Sequence, residues 1–481
     1  MGDAVTPPTS RGPGLAAAQR ASLAAIFLVG LVIPLVMANR CQIGGDQLHF
    51  LARGWLLAER GHWIQVGMPT SALGDAPGGL TALLAGAPLL VWRDYRAPVL
   101  LILLTHVVAY LLLDRALRPL LRPRERILFA VFYWLNPWRI HFSGFLWDPN
   151  YAFLFGAVHT WAILGQRERP SFWLSFWHAL AIGAFMQVHS SFALLVIASA
   201  VLLLRGYFRP HWGGVAAACA IVAASLVPWA AQAIADPAII PGGKGFIGRG
   251  LLLVYPLLRG VYYWLRYVSF ELSDMMTPFD FSATLPRLLN GVFSRAFWVL
   301  EQVIGPVTVL FPIAANIWLW QREHVHLSVR PDPRRHPRQW LVGYVAWSFL
   351  AAMIAFALSP TTFMAWQALC VLHIAVLPPV LWLAALGRTR LAPRARLAAR
   401  AWAAVALTMA VGMAFGSPMF RRGGKNAVAA VVKADLPMLH DLGIVGRCEV
   451  RVDRMRGWLP DVFLPHLGAD RWRMAPTGHG R

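Results

Sequence analysis

Acidic residues are scarce in this chain, 22 in 481, and three aspartates stand in turn-like segments rich in glycine, proline or aromatic residues. Asp46 lies in Gly44-Gly45-Asp46-Gln47, Asp75 in Gly74-Asp75-Ala76-Pro77-Gly78, and Asp148 in Trp147-Asp148-Pro149-Asn150-Tyr151. Carboxylates brought together can orient a substrate hydroxyl. They can also offer oxygen ligands to a hard divalent cation, with Asp46 and Asp75 the pair to hold it. Each aspartate taken alone also fits a helix N-cap, where the carboxylate accepts backbone N–H bonds. No CxxC or HExxH pattern occurs, which excludes a zincin and a disulfide scaffold. Cys41 and Cys448 both fall in hydrophilic stretches, and whether they pair is left open.

The elements that must position these acids are set by an unusual composition. Hydrophobic residues make up 58% of the chain and charged residues only 14%, against about 25% charged in a soluble domain. This excludes an ordinary soluble enzyme and a disordered chain, and it predicts an all-α polytopic membrane protein. Helical spans are expected near 21–38, 97–113, 127–142, 150–165, 171–188, 190–204, 213–234, 291–319, 340–358, 366–386 and 401–416, about eleven in all. The chain then divides into a cytoplasmic N-terminal segment (1–20), a transmembrane domain (21–416) and a small extracytoplasmic tail (417–481).

The net charge of +22 comes from 44 basic residues, all arginine except Lys244, Lys425 and Lys433. They are scattered between apolar runs and not gathered on one face, so no nucleic-acid partner is expected. With the N-terminus inside, 21 of them fall in the inside segments, and the short outside loops 143–149 and 359–366 hold none. That asymmetry is the positive-inside pattern, and it puts the C-terminus outside the inner (plasma) membrane. Counting the fifteen-residue run 78–92 as a span would invert everything after it. It is expected instead as a helix lying at the outer interface, like residues 46–60 before it, within a first outer loop 39–96. A second long outer loop covers 235–290. Within it, Gly243–Gly248 matches GxGxxG, but no hydrophobic strand leads into the motif and dinucleotide binding is not expected.

On this topology Asp46, Asp75 and Asp148 all lie on the outer face, at the ends of spans. The order of an aspartate after the first span, interfacial helices flanking an Asp-x-Pro, an arginine-rich inside turn and an outer Asp-Pro resembles the GT-C superfamily of integral-membrane glycosyltransferases. The resemblance is to the protein O-mannosyltransferase and lipid A aminoarabinose transferase branch in particular. It covers about residues 20–205, with Ala76 standing where the family's acid-Lys-Pro motif has lysine.

That resemblance implies a sugar donor carried on a polyprenyl phosphate, an acceptor that is a lipid, glycan or protein on the extracytoplasmic face, and inverting transfer with Asp46 as general base. It also makes Asp75 and Asp148 catalytic partners. Arg139, His141, Asn150, Tyr151 and His189 are further substrate-contact candidates by their position near that face, and Lys244, Arg249 or Arg139 is the candidate phosphate partner in place of the missing lysine. A divalent metal ion is the one cofactor considered. The alternative is a multi-span transporter or lipid flippase. Such proteins usually keep acids near the bilayer midplane, and Glu301 is the only carboxylate well inside an expected span.

Overall fold

The computed structural model describes residues 17–43, 46–70, 74–235, 254–322, 331–359 and 363–421. It opens with helix α1 (Ala17–Ala38), followed by α2 (Asp46–Arg60), an antiparallel hairpin of β1 (Val66–Thr70) and β2 (Gly74–Pro77), and α3 (Leu80–Val91). Helix α4 (Arg96–Leu117) precedes α5 (Pro123–Phe129), which passes through a π-helical turn at Ala130–Trp134, breaks, and resumes as α6 (Pro137–Phe142). A 3-10 turn at Asp148–Tyr151 leads into α7 (Ala152–Gly165), α8 (Phe172–Met186), α9 (Phe192–Leu204) and α10 (Trp212–Ala235). Next come α11 (Val254–Arg266) and a rod of α12 (Arg287–Val299), a π turn at Leu300–Ile304, α13 (Gly305–Thr308) and α14 (Leu310–Arg322). Then α15 (Pro337–Leu358), a 3-10 stretch at Ala365–Val371, α16 (Leu372–Ala375), α17 (Leu377–Leu386) and α18 (Ala392–Gly416) complete the described chain.

The architecture is all-α, with one short hairpin among the described residues. Among the described residues, seven helical segments are long and apolar enough to cross a membrane: α1, α4, α10, the α12–α14 rod, α15, the 365–386 segment and α18. They fall on seven of the expected spans. The other four expected spans, 127–142, 150–165, 171–188 and 190–204, fold as shorter or interrupted helices. Large apolar side chains point outward on α1 (Leu28, Val32), α10 (Ile221, Val227) and α12 (Leu288, Val292), as helices facing lipid require. The core is formed where α4 packs on α7, α7 on α8, α8 on α10, and α9 on α15.

The break at 135–137 shows how local sequence shapes the bundle. Pro137 cannot donate a backbone hydrogen bond, and it disfavours helical geometry at the residue before it. Asn136 caps the new helix, its Oδ1 accepting from the Trp138 backbone N–H at 3.0 Å. Its Nδ2 donates to the carbonyls of Phe132 (3.1 Å) and Tyr267 (2.8 Å), which ties the break to the end of α11.

Helices α2 and α3 pack closely through small residues. A Cβ on Gly54 would collide with Ala85, and one on Gly86 would meet the Gly54 carbonyl at 2.7 Å, so the two backbones are in contact. At twelve residues α3 is too short to span a bilayer, in keeping with the interfacial placement expected for 78–92. The hairpin between them packs on the α8–α9 turn, where Gly67 and Gly78 leave room for Gln187.

At the opposite, arginine-rich end, Glu125 is buried at the start of α5. Its Oε1 accepts from Arg338 (3.1 Å) and Arg388 (2.9 Å), fastening α5 to α15 and to the turn after α17. The GxGxxG run at 243–248, Lys244, Arg249, Cys448 and nearly all of the 417–481 tail lie outside the described residues, while Cys41 is buried, with its Sγ donating to the Ala38 carbonyl.

Two glycines predict opposite outcomes. A Cβ on Gly156 of α7 would run into the Cys370 carbonyl, whereas one on Gly291 of α12 would meet nothing within 4 Å. Gly156→Val should therefore cost about 1–3 kcal/mol through overpacking. Gly291→Ala should stabilise by about 0.5–1 kcal/mol through helix propensity. Thermal unfolding of the detergent-purified protein checks both, and equal effects would contradict the packing described.

Candidate functional site

Helix α2 starts at Asp46, in a first turn that also places a carboxylate at the positive end of the helix dipole. Positions 46, 49 and 53 follow helical spacing, so Asp46, His49 and Arg53 share one face. Asp46 is exposed, and its Oδ2 accepts the Trp147 indole N–H at 3.1 Å. That bond joins the first outer segment to the loop carrying Asp148, across 101 residues of sequence.

Arg53 is only 5% exposed. Its Nε donates to the Val66 carbonyl at 3.3 Å, and its Nη1 donates to His49 Nδ1 at 2.8 Å. Burial weakens its hold on its proton, and the negative charges of Asp75 and then Asp148 oppose that effect. Asp75, half-buried in β2, is pushed above the ordinary carboxylate range by burial, with Arg53 pulling the other way. Asp148 is 7% exposed. Burial first, and then the negative charge of Asp46, push its carboxyl well above the usual range, while Arg53 again opposes. Three acids from separate segments thus share one electrostatic neighbourhood, with a buried guanidinium among them.

Helix capping does not explain two of the three acids. The N-cap of α3 is Gly79, with no side-chain hydrogen bond, and Asp75 sits in a strand. The 3-10 turn at 148–151 has Trp147 as its N-cap, also without a side-chain bond.

Other sequence candidates lie elsewhere or serve the frame. Arg139 is fully buried and points into the bundle. Its Nη2 donates to the Gly30 carbonyl at 2.9 Å and to the Trp134 carbonyl, and its guanidinium lies 3.8 Å from the Trp134 ring centroid. It staples the interrupted helix to α1. Asn150 is fully buried, with its Nδ2 donating to the Phe145 carbonyl at 2.6 Å, while His106 Nε2 of α4 donates to the Asn150 carbonyl at 2.9 Å. Tyr151 is 1% exposed and stacks near Phe50. His141 is fully buried against the edges of Phe142, Phe145 and Phe420, and neither ring nitrogen has a hydrogen-bond partner among the described residues. His189 is partly buried at the α8–α9 turn, and its Nδ1 accepts the Ser191 backbone N–H at 3.1 Å.

Arg53 and Trp147 are the residues that sequence reasoning missed. The seven-residue step from Asp46 was the available signal for Arg53, hidden because an arginine in an amphipathic helix reads as surface charge. A metal finds a thin donor set here. Among the described residues no three His, Cys, Asp or Glu side chains group closely enough to hold one ion. The cation facing Asp75 and Asp148 is Arg53.

No protein-family model matches the chain, and no curated protein matches it. Among solved structures, the apo crystal structure of ArnT from Cupriavidus metallidurans is similar over 88% of this chain and 81% of that one, with 14% sequence identity and a TM-score of 0.43.

Because folding raises the Asp148 pKa, the protonated form is the one the fold favours. The stability this contributes is complete below the ordinary carboxylate range and is lost as pH rises through the raised value. Asp148→Asn keeps the neutral shape and removes the titration. Its melting temperature should fall less steeply as pH rises from about 4 than that of the unsubstituted protein, Asp75 still titrating in both, and parallel curves would refute the burial effect.

Proposed function

We propose that the chain is a membrane glycosyltransferase that moves a sugar from a polyprenyl-phosphate donor to an acceptor hydroxyl on the extracytoplasmic face, inverting the anomeric carbon. What supports this reading is that Asp75 and Asp148 both act on the buried Arg53 charge while Asp46 acts on Asp148 and bonds Trp147 beside it. Asp46 is exposed at the start of a helix and serves as the base. It takes the proton of the acceptor hydroxyl while that oxygen bonds to the anomeric carbon, and the bond from that carbon to the phosphate oxygen breaks with its electron pair leaving on the phosphate. Arg53 supplies a fixed positive charge for the departing phosphate, so the role expected of lysine at position 76 falls to a neighbouring segment.

Asp148, biased toward its protonated form, donates a hydrogen bond that orients the acceptor or a sugar hydroxyl, and the Asp75 charge acts on the Arg53 guanidinium. An isoprenoid chain dissolved in the bilayer presents its phosphate at the interface, the level at which α3 lies. Two carboxylates offer a hard divalent ion only part of its ligand set, leaving the remainder to water and a phosphate.

Asp46→Asn should lower transfer from a polyprenyl-phosphate sugar by about 10²–10⁴-fold in membranes without moving the melting temperature. Arg53→Met should lower it too, with its loss concentrated in donor binding. Full activity in Asp46→Asn would overturn the assignment of the base.

Orientation is tested separately. In a background with Cys448 replaced by serine, a cysteine placed at His62 should react with a membrane-impermeant maleimide added to intact cells, and one placed at Arg390 should not. The reverse pattern would invert the topology and remove the site from the outer face.

A further inference from the structure

The arginine-rich end of the bundle carries a groove that the transfer reaction does not use. It lies between α5 with its π turn, α17 and α18, and it encloses about 390 Å³, within the size range of ligand clefts. Its floor is apolar, formed by Leu128, Val131, Leu383 and Ala399, and its mouth is formed by Arg124, Arg396 and Arg400. All three arginines are exposed. Arg396 and Arg400 stand one turn apart on α18, with Arg124 facing them from α5.

The local charge is uncompensated. No ion pair among the described residues engages these three side chains. The one acid of α5, Glu125, is buried and already committed to Arg338 and Arg388. Helix α18 contains no acidic residue and starts without a side-chain cap, so its positive end adds to the same field. Positive-inside orientation explains how many arginines lie at this end, but it does not explain why three of them ring an apolar cleft between helices.

We propose that this groove is a binding site for an anionic glycerophospholipid of the adjacent leaflet, with acyl chains against the Leu128–Ala399 floor and the phosphodiester between Arg124, Arg396 and Arg400. Basic pockets between transmembrane helices at the cytoplasmic side bind lipid head groups by this combination of charge and apolar surface. A lipid here bridges α5, α17 and α18, whereas Glu125 ties α5 to α15 and to the turn after α17.

The test uses the full chain in mild detergent, offered an equimolar mixture of phosphatidylglycerol and phosphatidylcholine and read by native mass spectrometry. The unsubstituted protein should retain phosphatidylglycerol in preference. Each arginine at the surface is worth a factor of about 5, so R124Q/R396Q/R400Q should lose about 100-fold. R115Q/R118Q/R322Q, which removes equal charge elsewhere at this end, should keep the preference. Ala399→Leu, or Ala403→Leu if the first does not fold, should weaken retention with the arginines intact. Glycerol phosphate at millimolar concentration should not compete. Equal losses in the two triple variants, competition by glycerol phosphate, or retention unaffected by the narrowed groove would each overturn the proposal.

Discussion

Hydrocarbon offers no partner to an open N–H or C=O, so each interruption of a helix must be answered from within the protein. The bundle interrupts its helices repeatedly and answers with side chains. Asn136 reaches the Tyr267 and Phe132 carbonyls, Arg139 reaches those of Gly30 and Trp134, and His106 holds the Asn150 carbonyl. The Tyr267 hydroxyl donates to the Ala365 carbonyl where the 3-10 segment begins. These bonds connect α1, α4, α6, α11 and the 365–371 stretch, so the irregular backbone is also what ties the bundle together. Polar residues consumed in this way cannot also greet a substrate.

The group that remains for chemistry is set apart by its charge balance. Arg53 is buried but faces two carboxylates, and Asp148 is buried beside an exposed acid. Burial and like charge set the Asp148 carboxyl apart from Asp46 even though the residues are chemically identical. A site with its cation locked by the Val66 carbonyl and His49 has little to rearrange when charge develops.

Much of this was legible beforehand. Long apolar windows locate the seven longest spans, because a bilayer imposes a length that few soluble helices share. Scarce acids mark turns at the ends of spans for the same reason, since a carboxylate is costly within hydrocarbon. The interrupted helices were less legible, although Asn136-Pro137 carries the signal, because an apolar run reads the same whether it is continuous or broken. Arg139, His141, Asn150 and Tyr151 read as surface candidates by their place near the end of a span. Their inward direction depends on which carbonyls the neighbouring helices leave open, a tertiary fact that spacing along one chain does not contain. Arg53 escaped notice because the groups that cover it, Val66 and Met68, come from the hairpin beyond the end of its own helix.

The short helix α3 fixes something less obvious. Twelve residues rise about 18 Å, against about 30 Å of hydrocarbon, so α3 cannot be anchored at both faces of a bilayer. One interface alone sets its depth. Since α2 is clamped to it through Gly54 and Gly86, and since Asp46 opens α2, the height of that carboxylate above the hydrocarbon travels with α3. Long helices that tilt to suit a thicker or thinner membrane leave the acid tied to α3, not to either end of a span.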